Sequence, residues 1–378
     1  MDNFLTAFLV GESFLLSFLL YFHPLTENAK ANKWLGFFAF IMGTAFAGSY
    51  MEKIGAGESY PFIIKWINSF QFLSAPSLYI SILYFVNPTT KFRIRYWLHF
   101  LPFLIFAVIE NFIFWSDKSI STEVLFDIGE TSFFVRDILP FQLSAYIFIS
   151  YLTLVKHNKN IELIIAATQN INLNWLKQFL LILIFIIIFW INDAFEIFPV
   201  LVKLNQFVYP VSIFFLAFYA MKQAAVFPFE KNELAEISGI INQPDETPSS
   251  KIETRKIQRL SEAQAADLSV KLNNLMETDK IFLNNEITLA TVAEKLEISI
   301  HDASYLINEV TGSNFYNFIN RFRVEEAKKL LTSTKTDKLN MLGIAFESGF
   351  NSKTTFNTAF KKLVGLSPTE YAKQQKNQ

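Results

Sequence analysis

The sequence predicts an all-α protein in two parts: a bundle of seven membrane-spanning helices, then a cytoplasmic domain that is helical throughout. Three observations predict it. Residues before about 222 hold long apolar runs, whereas residues after about 230 have the mixed composition of a soluble domain. Lys and Arg alternate between frequent and scarce in the successive loops between those runs. Beyond residue 259, apolar residues recur at helical spacing between Ser or Thr caps and Gly stops. The mean hydropathy of +0.29 averages the two parts and describes neither.

A helix crosses a bilayer with about 20 apolar residues. Seven runs approach that length, at about 3–22, 34–51, 62–86, 97–115, 134–155, 176–192 and 200–221. The third begins near Lys65 and carries Pro76, and the sixth, LKQFLLILIFIIIFWI, is the most plainly apolar. The first is too long for the core of a signal peptide and lacks a basic start, so it reads as a retained span. Loops after odd spans hold Lys30 and Lys33, then Lys91, Arg93 and Arg95, then Lys156 and Lys159, while loops after even spans offer Lys53, then Lys118 among acids, then none. Basic loops stay in the cytoplasm. The N-terminus is therefore expected outside, and an odd span count leaves the C-terminal part inside.

Within this membrane domain, 1–221, ionisable groups at or near bilayer depth are candidates for function. Glu12, Glu110, Asp193 and Glu196 are the signal-sensing candidates. Glu12 lies nearest a span centre between Gly11 and Ser13, small residues that admit a neighbouring helix. A hydrogen-bonded structural role for it is the competing reading. Pro76, Pro102, Pro140 and Pro210 fall within spans, where they bend helices or are simply tolerated. The acidic stretch 116–132 is the largest external segment, either shaping a ligand pocket or only connecting spans. No internal repeat or pair of broken helices in matching positions favours a transporter.

Several function classes drop out. There is no Cys, hence no disulfide, thiolate metal site or Cys nucleophile. The four His (His23, His99, His157, His301) show no ligand spacing, and no Walker loop, GxGxxG or GxSxG elbow occurs. The expectation is no metal, no cofactor and no enzyme. Residues 222–258 read as a cytoplasmic linker, with the polar stretch INQPDETPSSK as its hinge.

The remaining domain, 259–378, opens with a helical run carrying Leu260, Ala263, Leu268, Leu272, Leu275 and Met276. Then Thr288 caps a helix with Leu289, Val292, Ala293 and Leu296, a break follows at Glu297–Ile298, and Ser299 with Asp302 starts a second helix ended by Gly312. A helix, a short turn and a second capped helix with a polar outer face form a helix-turn-helix unit, here about 288–312. The pattern repeats at about 339–365. Leu339, Leu342, Ala345 and Phe346 mark the first helix, Gly349 supplies a positive-φ turn, and Ser352 caps the second. That second helix carries a stripe of Phe356, Phe360 and Leu363. NFYNFINRFRVEEAKKLL joins the units as one uninterrupted helix, and Ser367, Pro368 and Glu370 open a last one.

Here the sequence resembles the tandem helix-turn-helix domain of the AraC/XylS transcription factors, in the branch fused to membrane sensors. Ser299, Gly312, Asn314, Phe315, Phe318, Ile319, Asn320, Arg323, Ala327 and Leu330–Leu331 carry the match in the first half. The second half is carried by Ile344–Ala345, Gly349–Phe350, Ser352, Phe356, Phe360–Lys361–Lys362, Gly365, Pro368 and Tyr371. The sequence departs from the family at Ala303, Ile307 and Ala372, where bulkier or basic residues are usual. The resemblance implies a bacterial inner-membrane, sequence-specific regulator of transcription that binds double-stranded DNA. It implies base readers at His301, Ser304, Tyr305 and Asn308 in the first unit and at Lys353, Thr354, Asn357 and Thr358 in the second. Phosphate contacts are implied for Ser299, Arg323, Ser352, Lys361 and Lys362.

Groove chemistry agrees: Asn pairs with adenine, Lys with guanine, and the Thr methyl with thymine. Residues 251–378 hold 18 Lys and Arg against 15 Asp and Glu, with the excess in the connecting helix and second unit. The first unit sets Lys295 against Glu294, Glu297, Asp302 and Glu309, so the second should dominate affinity. Partners implied are promoter DNA, the lipid bilayer, an unidentified signal ligand and, as one arrangement, a second copy of the chain. The alternative is a transporter or receptor whose helical domain docks a protein or regulates transport.

Overall fold

The computed structural model describes residues 3–24, 28–90, 92–115, 138–166, 171–195, 198–226, 229, 233–234, 236–237, 240, 260–333 and 339–376. The chain divides into two compact units, the first made of 1–156 and 173–227, the second of 157–172 and 228–378. Among the described residues the regular structure is helical, with one isolated antiparallel bridge between Ile165 and Thr288. The acidic stretch 116–132 lies outside the described residues, as does the linker sequence from 241 to 259.

The first unit contains α1 (Asn3–Tyr21), α2 (Ala29–Lys53), α3 (Ala56–Ser59), α4 (Pro61–Gln71), α5 (Ser74–Val86), α6 (Leu101–Trp115), most of α7 (Leu139–Ile161), α8 (Asn174–Phe195) and α9 (Pro199–Lys222). Helix α2 is central and packs on α1, α4 and α5, while α9 packs on α8 and α1. Close approach of α1 and α2 depends on small residues: a Cβ on Gly36 would meet the Ser17 carbonyl oxygen at 3.0 Å, and one on Gly43 would meet the Phe14 ring at 2.9 Å. A Ser81 hydroxyl donates to the Ala31 carbonyl at 2.9 Å, tying α5 to α2.

Among the described residues, five helical segments are long and apolar enough to cross a membrane: Asn3–Tyr21, Ala29–Lys53, Pro61–Val86, Leu139–Ile161 and Asn174–Asn192. The fourth and seventh expected spans contribute shorter apolar helices, Ile94–Val108 and Phe207–Lys222. The fourth starts as a 3₁₀ turn, Ile94–Phe100, before Pro102 in the first turn of α6. The third is broken at Phe72–Leu73, and the Phe72 carbonyl, which finds no N–H four residues on at Pro76, accepts from the Gln142 amide at 3.2 Å. Pro76 and Pro140 also sit in first turns, where no backbone donor is needed, leaving Pro210 as the proline inside a helix.

This unit distributes polarity in reverse of a water-soluble core. Phe4, Phe18, Val108, Phe141, Phe185 and Phe214 are exposed, whereas Thr6, Ser13, Asn32, Ser77, Ser81 and Ser212 are buried. A soluble domain exposes its serines and hides its phenylalanines.

The second unit contains α10 (Glu262–Glu277), a 3₁₀ turn (Ile281–Leu283), α11 (Leu289–Leu296), α12 (Ile300–Thr311), α13 (Phe315–Thr332), α14 (Met341–Glu347), α15 (Lys353–Val364) and α16 (Pro368–Lys376). Helix α13 is the spine, packing on α12, α14, α15, α16 and the 3₁₀ turn. Val324, Ala327 and Leu331 of α13 form one apolar core with Ile344, Ala345, Phe350, Phe356, Ala359 and Phe360. Two predicted stripes need correction. Leu339 precedes the Asn340 cap, and Leu339, Leu342 and Phe346 are exposed, so Ile344 and Ala345 carry the buried face of the short α14. On α15, Ala359 takes the buried place expected for Leu363, which is exposed while its neighbour Val364 turns toward the core.

Gly349 adopts φ +85°, and a Cβ there would lie 2.5 Å from the Phe282 carbonyl oxygen and 2.8 Å from Leu283 Cα. Left-handed strain and a backbone clash act together at this position. Gly349→Ala should destabilise the second unit by at least about 2 kcal/mol, read as a lowered urea midpoint. Gly365→Ala, where nothing lies within 4 Å of the added Cβ, should show the φ penalty alone.

Candidate nucleic-acid interface

Two helix-turn-helix units flank α13. In the first, Thr288 accepts from the Thr291 backbone N–H to start α11, Glu297 turns the chain at φ +57°, and Ser299 accepts from the Asp302 N–H at 3.1 Å to start α12. The Ser299 hydroxyl also donates to the Asp302 carboxylate at 2.7 Å, so the expected pairing is made by the hydroxyl. In the second, the Asn340 side chain caps α14, Gly349 turns, and Ser352 accepts from the Thr355 N–H at 3.2 Å to start α15. Ser367 and Glu370 exchange bonds at the start of α16, with the Ser367 N–H donating to the carboxylate at 2.8 Å. That hydroxyl and N–H hold the Glu370 carboxyl below its ordinary range.

The predicted base readers separate sharply by exposure. On α15, Lys353, Thr354, Asn357 and Thr358 are all exposed on one face, and Lys361 extends it by a turn. On α12, His301, Ser304 and Tyr305 are half-buried and Asn308 alone of the four is fully exposed. Glu309 is also exposed beside Asn308. Ser299 and Ser352 are engaged as caps, and Lys362 donates to the Asn317 side chain at 3.0 Å, bridging α15 to α13.

Arg323 differs from its expected role. It is fully buried, donating from Nε to the Phe282 carbonyl and from Nη2 to the Asn284 carbonyl, both at 2.8 Å, with its guanidinium 5.7 Å from the Phe350 ring centre. Burial pulls its pKa down to about 10. It is a structural clamp and does not face a phosphate. In the sequence it looked like any other cation on a helix, because a 3.6-residue period gives no sign of which polar residue turns inward. Nearby, burial raises the Glu326 pKa, but Lys280 at 3.0 Å and Lys329 at 3.3 Å outweigh it and hold the carboxyl low.

The sequence reading also missed three groups that touch the first unit. Residues 157–172, from the last turn of α7 to just before α8, belong to the second unit. Ile161, Ile164, Ile165 and Ala166 are buried. The Ile164 carbonyl accepts from the Leu289 N–H at 2.9 Å, and the Glu162 carbonyl accepts from the Tyr316 N–H at 3.0 Å. From the linker, the Glu236 carboxylate accepts from the Ile300 N–H at 3.1 Å. The available signal was the apolar run IELIIAA in a segment expected to be a solvated loop.

Of the sensing candidates, Glu196 lies outside the described residues, and for Glu110 and Asp193 the helical backbone alone is described. Both carboxylate oxygens of Glu12 are buried and have no hydrogen-bond partner among the described residues. No group of three or more potential metal ligands occurs among the described residues.

Residues 292–374 match the family model described as a helix-turn-helix domain. The chain is similar to an uncharacterized HTH-type transcriptional regulator of Pseudoalteromonas carrageenovora, at 27% identity over 40% of this chain and 90% of that one. It is 33% identical to the melibiose operon regulatory protein of Escherichia coli over 24% of this chain, and spans 30% of that relative's length. The solved C-terminal domain of a two-component response regulator from Fusobacterium nucleatum is similar at 27% identity, covering 28% of this chain and 98% of that one, with a TM-score of 0.25.

Substitutions separate the clamp from the contact surface. Arg323→Ala strands the buried Phe282 carbonyl, removes the donor from the Asn284 carbonyl and empties a buried site, and should cost about 2–4 kcal/mol of domain stability. Lys361→Ala should leave stability within about 0.5 kcal/mol while lowering the salt slope of DNA binding by about 1. Urea unfolding and salt titration of fragment 251–378 on duplex DNA measure both.

Proposed function

We propose that this chain is a membrane-tethered, sequence-specific DNA-binding regulator of transcription that responds to an extracytoplasmic or intramembrane signal. The observation that carries the DNA reading is the exposed Lys353–Thr354–Asn357–Thr358 face of α15, set on a helix whose opposite side fills an apolar core. Asn and Lys are the side chains that make bidentate or guanine-directed contacts in a major groove. The names of the similar proteins, which describe transcriptional regulators, support it.

Membrane tethering is supported by the inverted polarity of the first unit and its five helices of spanning length. The basic odd loops support a cytoplasmic position for the DNA-binding domain. Signal reception is supported by a cavity of about 570 Å³ within the first unit. Phe38, Met42 and Leu143 give it apolar walls, and Glu52, Asn68 and Gln71 polar ones. Ser13, the neighbour of Glu12, also lines it. Pairing of two chains would add avidity on repeated half-sites.

Lys353→Ala combined with Asn357→Ala should reduce discrimination between selected and scrambled duplexes by roughly 10- to 100-fold, with membrane insertion unchanged. Equal discrimination in the double variant overturns the assignment of α15 as reader. A reporter active only in the periplasm, fused after residue 250, should be silent; activity there refutes the cytoplasmic placement.

A further inference from the structure

The first four N–H groups of a helix have no partner within it. In nucleic-acid complexes, helix amino ends commonly give such donors to phosphate, and the amino end of the second helix of the motif enters the groove. Here three of these donors are already taken, two at the starts of the helices of the first unit and one at the start of the connecting helix α13. Leu289 N–H opens α11 and donates to Ile164, Ile300 N–H opens α12 and donates to Glu236, and Tyr316 N–H lies in the first turn of α13 and donates to Glu162. All three acceptors come from outside the helix-turn-helix domain: two are backbone carbonyls of the α7–α8 connection and one is a linker carboxylate.

We infer that residues 161–166 and Glu236 hold the first helix-turn-helix unit in a docked state that competes with DNA for its helix amino ends, so that DNA engagement by this unit requires their release. An N–H that donates to a carbonyl at 2.9 Å is not free for a phosphate oxygen. The Glu236 carboxylate adds a negative charge at the helix end that would meet the groove, where it repels the DNA backbone. The exposure pattern is independent of these bonds and agrees with them. The reading face of α12 is half-buried at His301, Ser304 and Tyr305, whereas that of α15 is open at all four positions.

Connectivity makes the contact a transmission device. Residues 157–172 join α7 to α8, whose remaining lengths belong to the first unit. A signal that changes the relation of those two helix ends acts directly on the docked segment. The antiparallel bridge of Ile165 with Thr288 and the buried Ile164, Ile165 and Ala166 give that segment a defined seat, which a passive loop lacks. This inference rests on the DNA-binding reading and adds its control.

The test uses the full chain in phosphatidylethanolamine–phosphatidylglycerol nanodiscs and a duplex enriched from a random library by the wild type and by Glu236→Ala. The chain has no Cys, so Ile165→Cys with Thr288→Cys introduces the only two thiols, facing each other across the bridge. Oxidation should cross-link them, weaken duplex binding at least tenfold, and be reversed by reductant. Glu236→Ala, which frees the α12 amino end without touching the domain core, should bind at least threefold tighter than wild type. A pair that does not cross-link, although its reduced form binds as wild type does, overturns the docked state. Cross-linking without loss of affinity overturns the competition. Should the Cys pair impair folding, unchanged affinity in Glu236→Ala is sufficient to overturn it. If neither protein enriches any duplex, the DNA-binding reading itself fails and this inference falls with it.

Discussion

The C-terminal helix-turn-helix domain is organised around one buried cation. Arg323 sits mid-way along α13 and donates to the carbonyls of Phe282 and Asn284, in the turn that leads into the first helix-turn-helix unit. Its guanidinium lies over the ring of Phe350, the apolar residue that ends the turn of the second unit. Gly349 brings its backbone against the same Phe282 carbonyl, at a distance no side chain would allow. One side chain thus fixes the approach to the first unit and the turn of the second to the same point on the connecting helix. Two reading helices are useful only if their separation matches successive groove faces, about 34 Å apart. A clamp at the shared helix sets that separation more firmly than apolar contact alone, because hydrogen bonds to carbonyls are directional and a buried charge tolerates few alternatives.

The first unit obeys a different constraint. In the proposed lipid setting, with exposed phenylalanines such as Phe18 and Phe141 and buried serines such as Ser77 and Ser81, it gains nothing from the hydrophobic effect between its helices. Its cohesion then comes from close backbone approach at Gly36 and Gly43 and from internal hydrogen bonds such as Ser81 to Ala31. The broken third span follows the same logic. Pro76 leaves the Phe72 carbonyl without its helical donor, and the carbonyl must be met, here by Gln142.

These constraints explain what could be read from residues alone. Caps were legible, because Thr288, Ser299, Ser352 and the Ser367–Glu370 pair act within three residues of sequence, and all four act as expected. The Gly349 turn was legible in conformation but not in its contact with Phe282, which lies far away in the chain. Leu339, Leu342, Phe346 and Leu363 were misassigned because short helices have little periodicity to fix their orientation, and the neighbour that decides it is remote. Arg323 was misread for the same reason in reverse: sequence shows a cation, and only tertiary structure shows two carbonyls waiting for it. The segment 161–166 was the hardest to see, since its partners are backbone groups that carry no residue identity.

The asymmetry between the two units has an energetic meaning. The second unit offers an open, basic reading helix, while the first sets Lys295 against Glu294, Glu297, Asp302 and Glu309. A unit that adds little electrostatic affinity of its own is the one whose engagement small forces can decide. Each hydrogen bond to a helix amino end is worth a net of about 0.5–1.5 kcal/mol, somewhat more when the acceptor is a carboxylate. Three of them sum to roughly 1.5–4.5 kcal/mol, a range that overlaps the 1–3 kcal/mol by which coupled sites usually influence one another, or about 5- to 150-fold in affinity. Contacts of that strength can hold the first unit at rest and still yield when the helices that carry them shift. A much stronger clamp would make the state permanent, and control placed on the second unit would have to oppose most of the binding energy. The weaker unit is therefore the better place for a switch.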